Sequence, residues 1–428
     1  LKFAQIMRIL FTVHKYPPES LGGTEIYAMT LARALQQVGH TVTVFYPTVT
    51  VTTPTQRTGA DGVQLWQAPL PATRATEDPL RQFWHTVRDR TIEAAFAECL
   101  RATQPDLVHF QHVQGVSARL IELAVGYPRV ATLHDYWYFC ANSQLIRPDR
   151  QPCAGPSAGN WNCVDCATAR ADLQLLRAAR PLVALPFAWR NRDLRRLSTQ
   201  IDCFFAPSEF LRQQYIAHGW PAAKITTLEN GMDRQRLLRA QDATLSEPPV
   251  RPHFGFLGTL AWQKGVHVLV EAFNGLPATA ALTIYGSDRA FPTYGAELRA
   301  LATHPHLRFG GPLAYETVGA ALRQIDALVV PSLWYENSPL VIQEAYVMGV
   351  PVIASALGAL IEKVTDGVTG RLFPVGEPQA LRAVLQSVID QPTQLAAWRA
   401  AITAPPTVEE HVAVITAQYA RLMAARGQ

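Results

Sequence analysis

Two carboxylates with seven residues between them, Glu336 and Glu344, bracket the segment with the clearest capacity for chemistry. Between them lies Asn337-Ser338-Pro339-Leu340, and before them the apolar run Ala327 to Val330. That order reads as a buried strand, a loop and a helix. Ser338 suits a helix N-cap, and Pro339 suits the first helical position, where a missing N–H costs nothing. The free N–H groups of such a first turn can hold a phosphate. Glu344 stands five residues beyond Pro339, about 7.5 Å along a helix axis. From a bound diphosphate that is a fitting reach to a ribose diol, which a carboxylate holds by accepting two hydrogen bonds. Glu336, ahead of the helix, faces the opposite end, where a sugar on that diphosphate would lie. Without its setting, such a pair is ordinarily a solvated helix face and a loop charge; strand, cap and proline together argue against that.

Three further groups of residues stand out. Gly22-Gly23 follows the apolar run Ile9 to Val13, where bare backbone lets a ligand approach closely. Thr132-Leu133-His134-Asp135 ends another apolar run. A segment after it carries Cys140, Cys153, Cys163 and Cys166, spaced C-x12-C-x9-C-x2-C. The closing C-x2-C matches half of a zinc knuckle, and four thiolates make a closed tetrahedral set. The segment is rich in Gly, Pro and Asn and needs a staple to become ordered; a structural zinc is the first expectation, with an iron–sulfur cluster, two disulfides or free thiols as alternatives. Arg170 to Arg196 is basic and partly apolar, with Phe187 and Trp189, and could touch anionic lipid. Pro181 and Pro186 are expected to break any long helix there.

These residues need a scaffold that brings strand ends together. The chain has 428 residues, enough for two cores. Hydrophobic residues make up 48% and charged residues 17%, which excludes a disordered or fibrous protein. The net charge of +4 is mild and dispersed, so nucleic acid is not an expected partner. No apolar stretch is long enough to span a bilayer, and the opening run is too interrupted for a signal peptide. The expected location is the cytoplasm, with peripheral contact at the inner face of the membrane. Apolar runs at 9–13, 42–46, 107–110, 130–133 and 203–206 alternate with helical periodicity, and the pattern recurs at 253–257, 282–285, 327–330 and 352–354. The reading is α/β: two facing Rossmann-like domains, 1–243 (with the Cys-rich insertion 136–170) and 250–405, joined by a polar, proline-rich linker at 240–252. A last helix within 406–428 is expected to pack back on the first domain. Ligands of open α/β sheets bind at the carboxyl ends of the strands, which is where the candidate residues fall.

The Glu336/Glu344 pair resembles the E-x7-E motif of retaining GT-B glycosyltransferases, especially glycosyltransferase family four. Phe256-Leu257-Gly258-Thr259-Leu260 with Lys264-Gly265 is similar to that family's phosphate loop, and Leu228-Glu229-Asn230-Gly231-Met232-Asp233 to its NG-x-D turn. Pro207-Ser208, Gly349 to Ala354 and Asp366 to Gly370 also match. The resemblance implies a GT-B fold and transfer of a hexose-type sugar, with retention, from a UDP-, GDP- or ADP-sugar to a glycan, lipid-linked or small-molecule acceptor. It implies that Lys264 neutralises the diphosphate, that Glu336 binds sugar hydroxyls, and that Asn337, Ser338, Pro339 and Leu340 hold sugar and phosphate through backbone groups. It places Gly22 and Gly23 at donor phosphate or acceptor, and His134 at the donor sugar. It implies front-face substitution without a catalytic metal. One position departs from the pattern: Thr259 stands where the family commonly has Arg. Alternative readings are a non-catalytic nucleotide-sugar or polysaccharide-assembly scaffold, which Thr259 keeps open, and a GT-B epimerase, which shares two Rossmann domains but not this E-x7-E setting. A nicotinamide dehydrogenase lacks its glycine fingerprint here, and a phosphorylase would be a much larger chain.

Overall fold

The computed structural model describes residues 6–76, 79–173, 179–239 and 250–426. The chain divides into two compact units, one of residues 1–231 with 408–428 and the other of residues 232–407. The change of unit falls at Gly231/Met232, earlier than residue 243. Most of the linker read at 240–252 lies outside the described residues.

The first unit is built on eight strands: β1 (Arg8–Thr12), β2 (Thr41–Thr48), β3 (Thr55–Thr58), β4 (Gln64–Pro69), β5 (Leu107–Phe110), β6 (Arg129–Thr132), β7 (Cys203–Ala206) and β8 (Ile225–Thr227). Their order is β3-β4-β2-β1-β5-β6-β7-β8. All pairings are parallel except β3 with β4. β5, β6 and β7 are buried along their whole length, as expected of a parallel sheet covered on both faces. β3 is exposed throughout and polar, so no apolar run announces it.

The second unit carries β9 (His253–Leu257), β10 (Ala281–Tyr285), β11 (Leu307–Gly311), β12 (Ala327–Val330), β13 (Val352–Ser355) and β14 (Gly370–Phe373). Their order is β11-β10-β9-β12-β13-β14, all parallel. In both sheets the strand order reverses beside the first strand of the unit, between β1 and β5 and between β9 and β12. At such a switch point two neighbouring strands send their loops apart, and a crevice opens at their carboxyl ends.

The final helix, Val408–Arg426, belongs with the first unit. Its buried face carries Val412, Ile415 and Tyr419. The Tyr419 hydroxyl lies 2.5 Å from His109 Nδ1 in β5, and His411 Nε2 lies 2.8 Å from the Tyr27 hydroxyl in the helix Gly23–Gln37.

The basic segment differs from its sequence reading. Arg180–Ser198 is one helix of 19 residues. Pro181 sits in its first turn, where no N–H is needed. Pro186 removes one internal hydrogen bond, yet the helix continues through it. Buried Phe187, Arg190, Leu194 and Leu197 hold the element by packing, which overrides the local penalty. Its outer face leaves Leu182, Leu185 and Trp189 exposed, and Trp189 packs on Trp84 with ring centroids 5.3 Å apart. No helix among the described residues is long and apolar enough to cross a membrane.

Candidate functional site

In the second unit, the loops after β9 and β12 flank the switch point. The β9 loop turns at Gly258 and passes through a short turn, Trp262–Lys264. It ends at Gly265, with φ +68°. A Cβ at Gly265 would stand 1.8 Å from the Pro331 carbonyl oxygen, so only glycine lets this loop meet the β12 loop. The Leu333 N–H donates to the Gln263 carbonyl at 2.8 Å and fastens the two loops together.

That fastening brings Lys264 and Glu336 into contact. Glu336 Oε1 accepts from Lys264 Nζ at 2.7 Å, from Ser332 Oγ at 2.7 Å and from Trp334 Nε1 at 2.9 Å. The three bonds converge on one carboxylate oxygen of a side chain that is 7% exposed. Lys264 also stands over the Trp334 ring, 5.3 Å from its centroid. A buried carboxylate held by three donors keeps a fixed orientation and can offer its other oxygen to a ligand.

The helix that follows runs from Leu340 to Val347, with Pro339 at its N-cap position. The cap is therefore one residue later than Ser338, and Pro339 precedes the first turn instead of opening it. Ser338 Oγ makes no capping bond; it is buried without a hydrogen-bond partner among the described residues. The physical reason is the fixed φ of proline, compatible with either position, while Ser338 remains part of the extended loop.

Glu344 projects from the middle of this helix and pairs with a residue that the sequence reading missed. Arg236 Nη2 donates to Glu344 Oε1 at 2.6 Å. The guanidinium also donates to the Tyr315 carbonyl and lies over the Tyr315 ring at 3.7 Å. Burial raises the Glu344 carboxyl above its ordinary pKa, and Arg236 opposes that rise. Arg236 comes from the helix Arg234–Arg239, where the Arg236 N–H donates to Asp233 Oδ1 at 2.9 Å. The NG-x-D turn was the available signal: its Asp positions a basic helix start. Thr259, beside Gly258, is exposed and brings no charge.

The first unit gathers its polar residues at the corresponding switch point. His14 follows β1, His112 follows β5, and His134 and Asp135 follow β6. His112 Nε2 lies 2.8 Å from Asp135 Oδ2, and the His14 and His112 rings are 4.7 Å apart. His14 Nε2 is 3.6 Å from Glu25 Oε1, which also accepts a bond of 2.7 Å from Ser20 Oγ. His134 lies edge-on to Tyr27 at 5.1 Å, and its Nε2 is 3.3 Å from Gln111 Oε1. Burial pushes the pKa values of His14 and His134 well down, with neighbouring histidines adding to the effect. Both rings are therefore neutral near pH 7. Gly22 and Gly23 are exposed at the start of the helix, and a Cβ at Gly22 would meet Glu25 Oε2 at 2.5 Å. His14, Glu25 and His112 escaped the sequence reading, because isolated polar residues beyond a strand carry no spacing signal.

The four clustered cysteines share one region after β6. Cys140, Cys153, Cys163 and Cys166 all line a cavity of about 500 Å³, together with Asn142, Asn162 and Arg190. None is in a disulfide. Burial pushes the Cys163 thiol up to about 12, and Cys140, Cys153 and Cys166 add to the rise.

Comparison with known proteins agrees with this geometry. The model of Glycosyltransferase Family 4 matches residues 21–236, and that of Glycosyl transferases group 1 matches residues 251–391. Glycogen synthase of Mycobacterium tuberculosis is 28% identical over 400 residues, covering 90% of this chain and 87% of that protein. Among solved structures, sucrose-phosphate synthase from Thermosynechococcus elongatus superposes with a TM-score of 0.69 at 19% identity, over 98% of this chain and 100% of the other. Anabaena HepE in complex with UDP-glucose superposes with a TM-score of 0.64 at 18% identity, over 98% and 100%. The fold is GT-B, and this chain belongs to glycosyltransferase family four, a retaining family whose members transfer sugar from nucleotide-sugar donors.

Proposed function

We propose that this chain transfers a hexose from a UDP-, GDP- or ADP-sugar to a glycan, lipid-linked or small-molecule acceptor, within polysaccharide or glycoconjugate synthesis. The observation that carries the reading is the Lys264–Glu336 pair at the switch point, ahead of the helix Leu340–Val347. Glycosyl transfer needs two things there: positive charge where the diphosphate departs, and a fixed acceptor of hydrogen bonds for the sugar. Lys264 supplies the first by exchanging Glu336 for a phosphate oxygen. The N–H groups at the helix start and Ser338 Oγ add neutral donors to the same oxygens. Glu336, held by Ser332 and Trp334 after that exchange, then accepts from sugar hydroxyls.

The acceptor hydroxyl attacks the anomeric carbon on the face from which the diphosphate leaves. The C–O bond to the diphosphate breaks as the new one forms, and a leaving phosphate oxygen takes the hydroxyl proton. His134, neutral and buried, serves as a hydrogen-bonding wall for the sugar. Thr259 leaves the leaving group one cation short of the family pattern, so Lys264 carries a larger share of the charge stabilisation.

The test is nucleotide release from a panel of nucleotide sugars with candidate acceptors. One donor should support turnover, and Glu336→Ala and Lys264→Ala should each lower the rate by roughly 10²-fold or more. Nucleotide binding with no turnover from any donor would favour the scaffold reading.

A further inference from the structure

The cysteine-bearing segment plays no part in sugar transfer as described, yet its chemistry is concentrated. Four thiols spread over 27 positions meet around one cavity. Three nitrogen donors are aimed at their sulfurs. Asn142 Nδ2 lies 3.4 Å from Cys166 Sγ, Arg170 Nε 3.4 Å from the same sulfur, and Asn162 Nδ2 3.7 Å from Cys153 Sγ. N–H donors favour a thiolate over a thiol, as do the outer-shell partners of metal-bound cysteines.

A second observation is independent of the sulfurs' own contacts. Arg190, on the cavity wall, is 1% exposed. Its guanidinium donates to the Trp137 carbonyl and to Asn191 Oδ1 and stacks on Trp137, and no carboxylate among the described residues is within ion-pair distance. A buried cation with no carboxylate in contact is costly to hold in a packed interior. The groups that face it electrostatically are, in order of effect, Cys140 and Cys163, then Asp135 and Tyr215, so the two thiols stand first among those able to supply a counter-charge.

We propose that Cys140, Cys153, Cys163 and Cys166 bind one structural Zn²⁺ as four thiolates. On binding, the four thiols release their protons to solvent, and the resulting site carries two net negative charges beside Arg190 and Arg170. In this structure no three metal-binding side chains among the described residues stand at ligating distances. Cys140 Sγ instead donates to Asn142 Oδ1 at 2.8 Å, and Cys153 Sγ approaches the Gly155 carbonyl at 3.7 Å. Closing the tetrahedron requires the sulfurs to leave these contacts and turn into the cavity they already line. Cys163 and Cys166 lie in the helix Trp161–Arg170, which packs against the helix Arg180–Ser198 and gives two ligands a rigid base. Cys140 follows the buried aromatic run Tyr136 to Phe139, anchored under the same sheet end as His134. The metal would thereby fix the loop that begins at the end of β6, just after His134.

The test is metal analysis of the full chain purified without chelator, with X-ray absorption at the zinc edge. The expected result is about one zinc per chain with four sulfur neighbours at about 2.3 Å. Cys163→Ser with Cys166→Ser should lose the zinc, whereas Cys99→Ala and Cys203→Ala, outside the cluster, should keep it. Because the double serine variant can misfold, the wild-type stoichiometry decides. Zinc below about 0.2 per chain, iron with visible absorption, or four cysteines resistant to thiol reagents because they are paired as disulfides would each overturn the assignment.

Discussion

At the scale of single residues, the two glutamates of the sequence motif do different work because their neighbours differ. Glu336 is bound by three donors at one oxygen, one of them the mobile ammonium of Lys264. Glu344 is fixed by a guanidinium that the ring and carbonyl of Tyr315 hold in place. The Arg236–Glu344 pair is 10% and 12% exposed on its two side chains, so removing one member strands a charge. Arg236→Ala is therefore expected to cost roughly 3 kcal/mol in urea unfolding, and Arg236→Lys less, since it keeps the charge but loses the planar fork. A change within about 0.5 kcal/mol of wild type, the ordinary range of surface substitutions, would show that the pair is structurally idle.

At the scale of elements, the final helix is part of the first unit's core. Tyr419 is fully buried, and its hydroxyl meets His109 inside β5. Tyr419→Ala removes a large side chain from a packed interior and is expected to destabilise the first unit by roughly 3–5 kcal/mol. Tyr419→Phe keeps the volume and strands one ring nitrogen of His109, a loss of roughly 1–3 kcal/mol. Thermal or denaturant unfolding of the two variants should rank them in that order. Equal effects would mean that the hydroxyl, and not the packing, holds the helix. The helix Arg180–Ser198 teaches the converse lesson: of two prolines read locally as breakers, Pro181 costs nothing in the first turn, and Pro186 survives because tertiary burial of one face outweighs a lost hydrogen bond.

At the scale of the whole molecule, buried neutral histidines set the acid side of stability. Burial lowers His109 to about 3 and His411 to about 4, and it lowers His14 and His134 as well. Well above pH 6.5 these rings are neutral in both folded and unfolded chains and contribute little to pH dependence. Below about pH 6.5 the unfolded chain binds protons that the folded chain refuses, so stability falls by about 1.4 kcal/mol per pH unit for each such ring. The loss from a given ring ends only once pH drops past its folded value. Melting curves between pH 7 and pH 5 should show a steadily falling midpoint. A flat midpoint would contradict the burial of these rings in neutral form.

The sequence by itself determined the strands with continuous apolar runs, the α/β class, the strand–loop–helix unit that carries Glu336 and Glu344, and the clustering of cysteines, while Lys264 stood out only through the family resemblance. Those features are local, because periodicity and spacing are properties of neighbouring residues. Strands of little apolar character, such as exposed β3, left no such trace. Only the tertiary structure decided that Arg236 answers Glu344 across 108 positions, that Lys264 answers Glu336 across 72, and that His14, His112 and His134 share one strand-end cluster. The Lys264–Glu336 pair and the histidine cluster arise where the order of strands reverses and loops distant in sequence are brought side by side, while Arg236 and Glu344 meet between two helices. Spacing along a chain does not encode that adjacency; the parallel pairing of β9 with β12 and of β1 with β5 does.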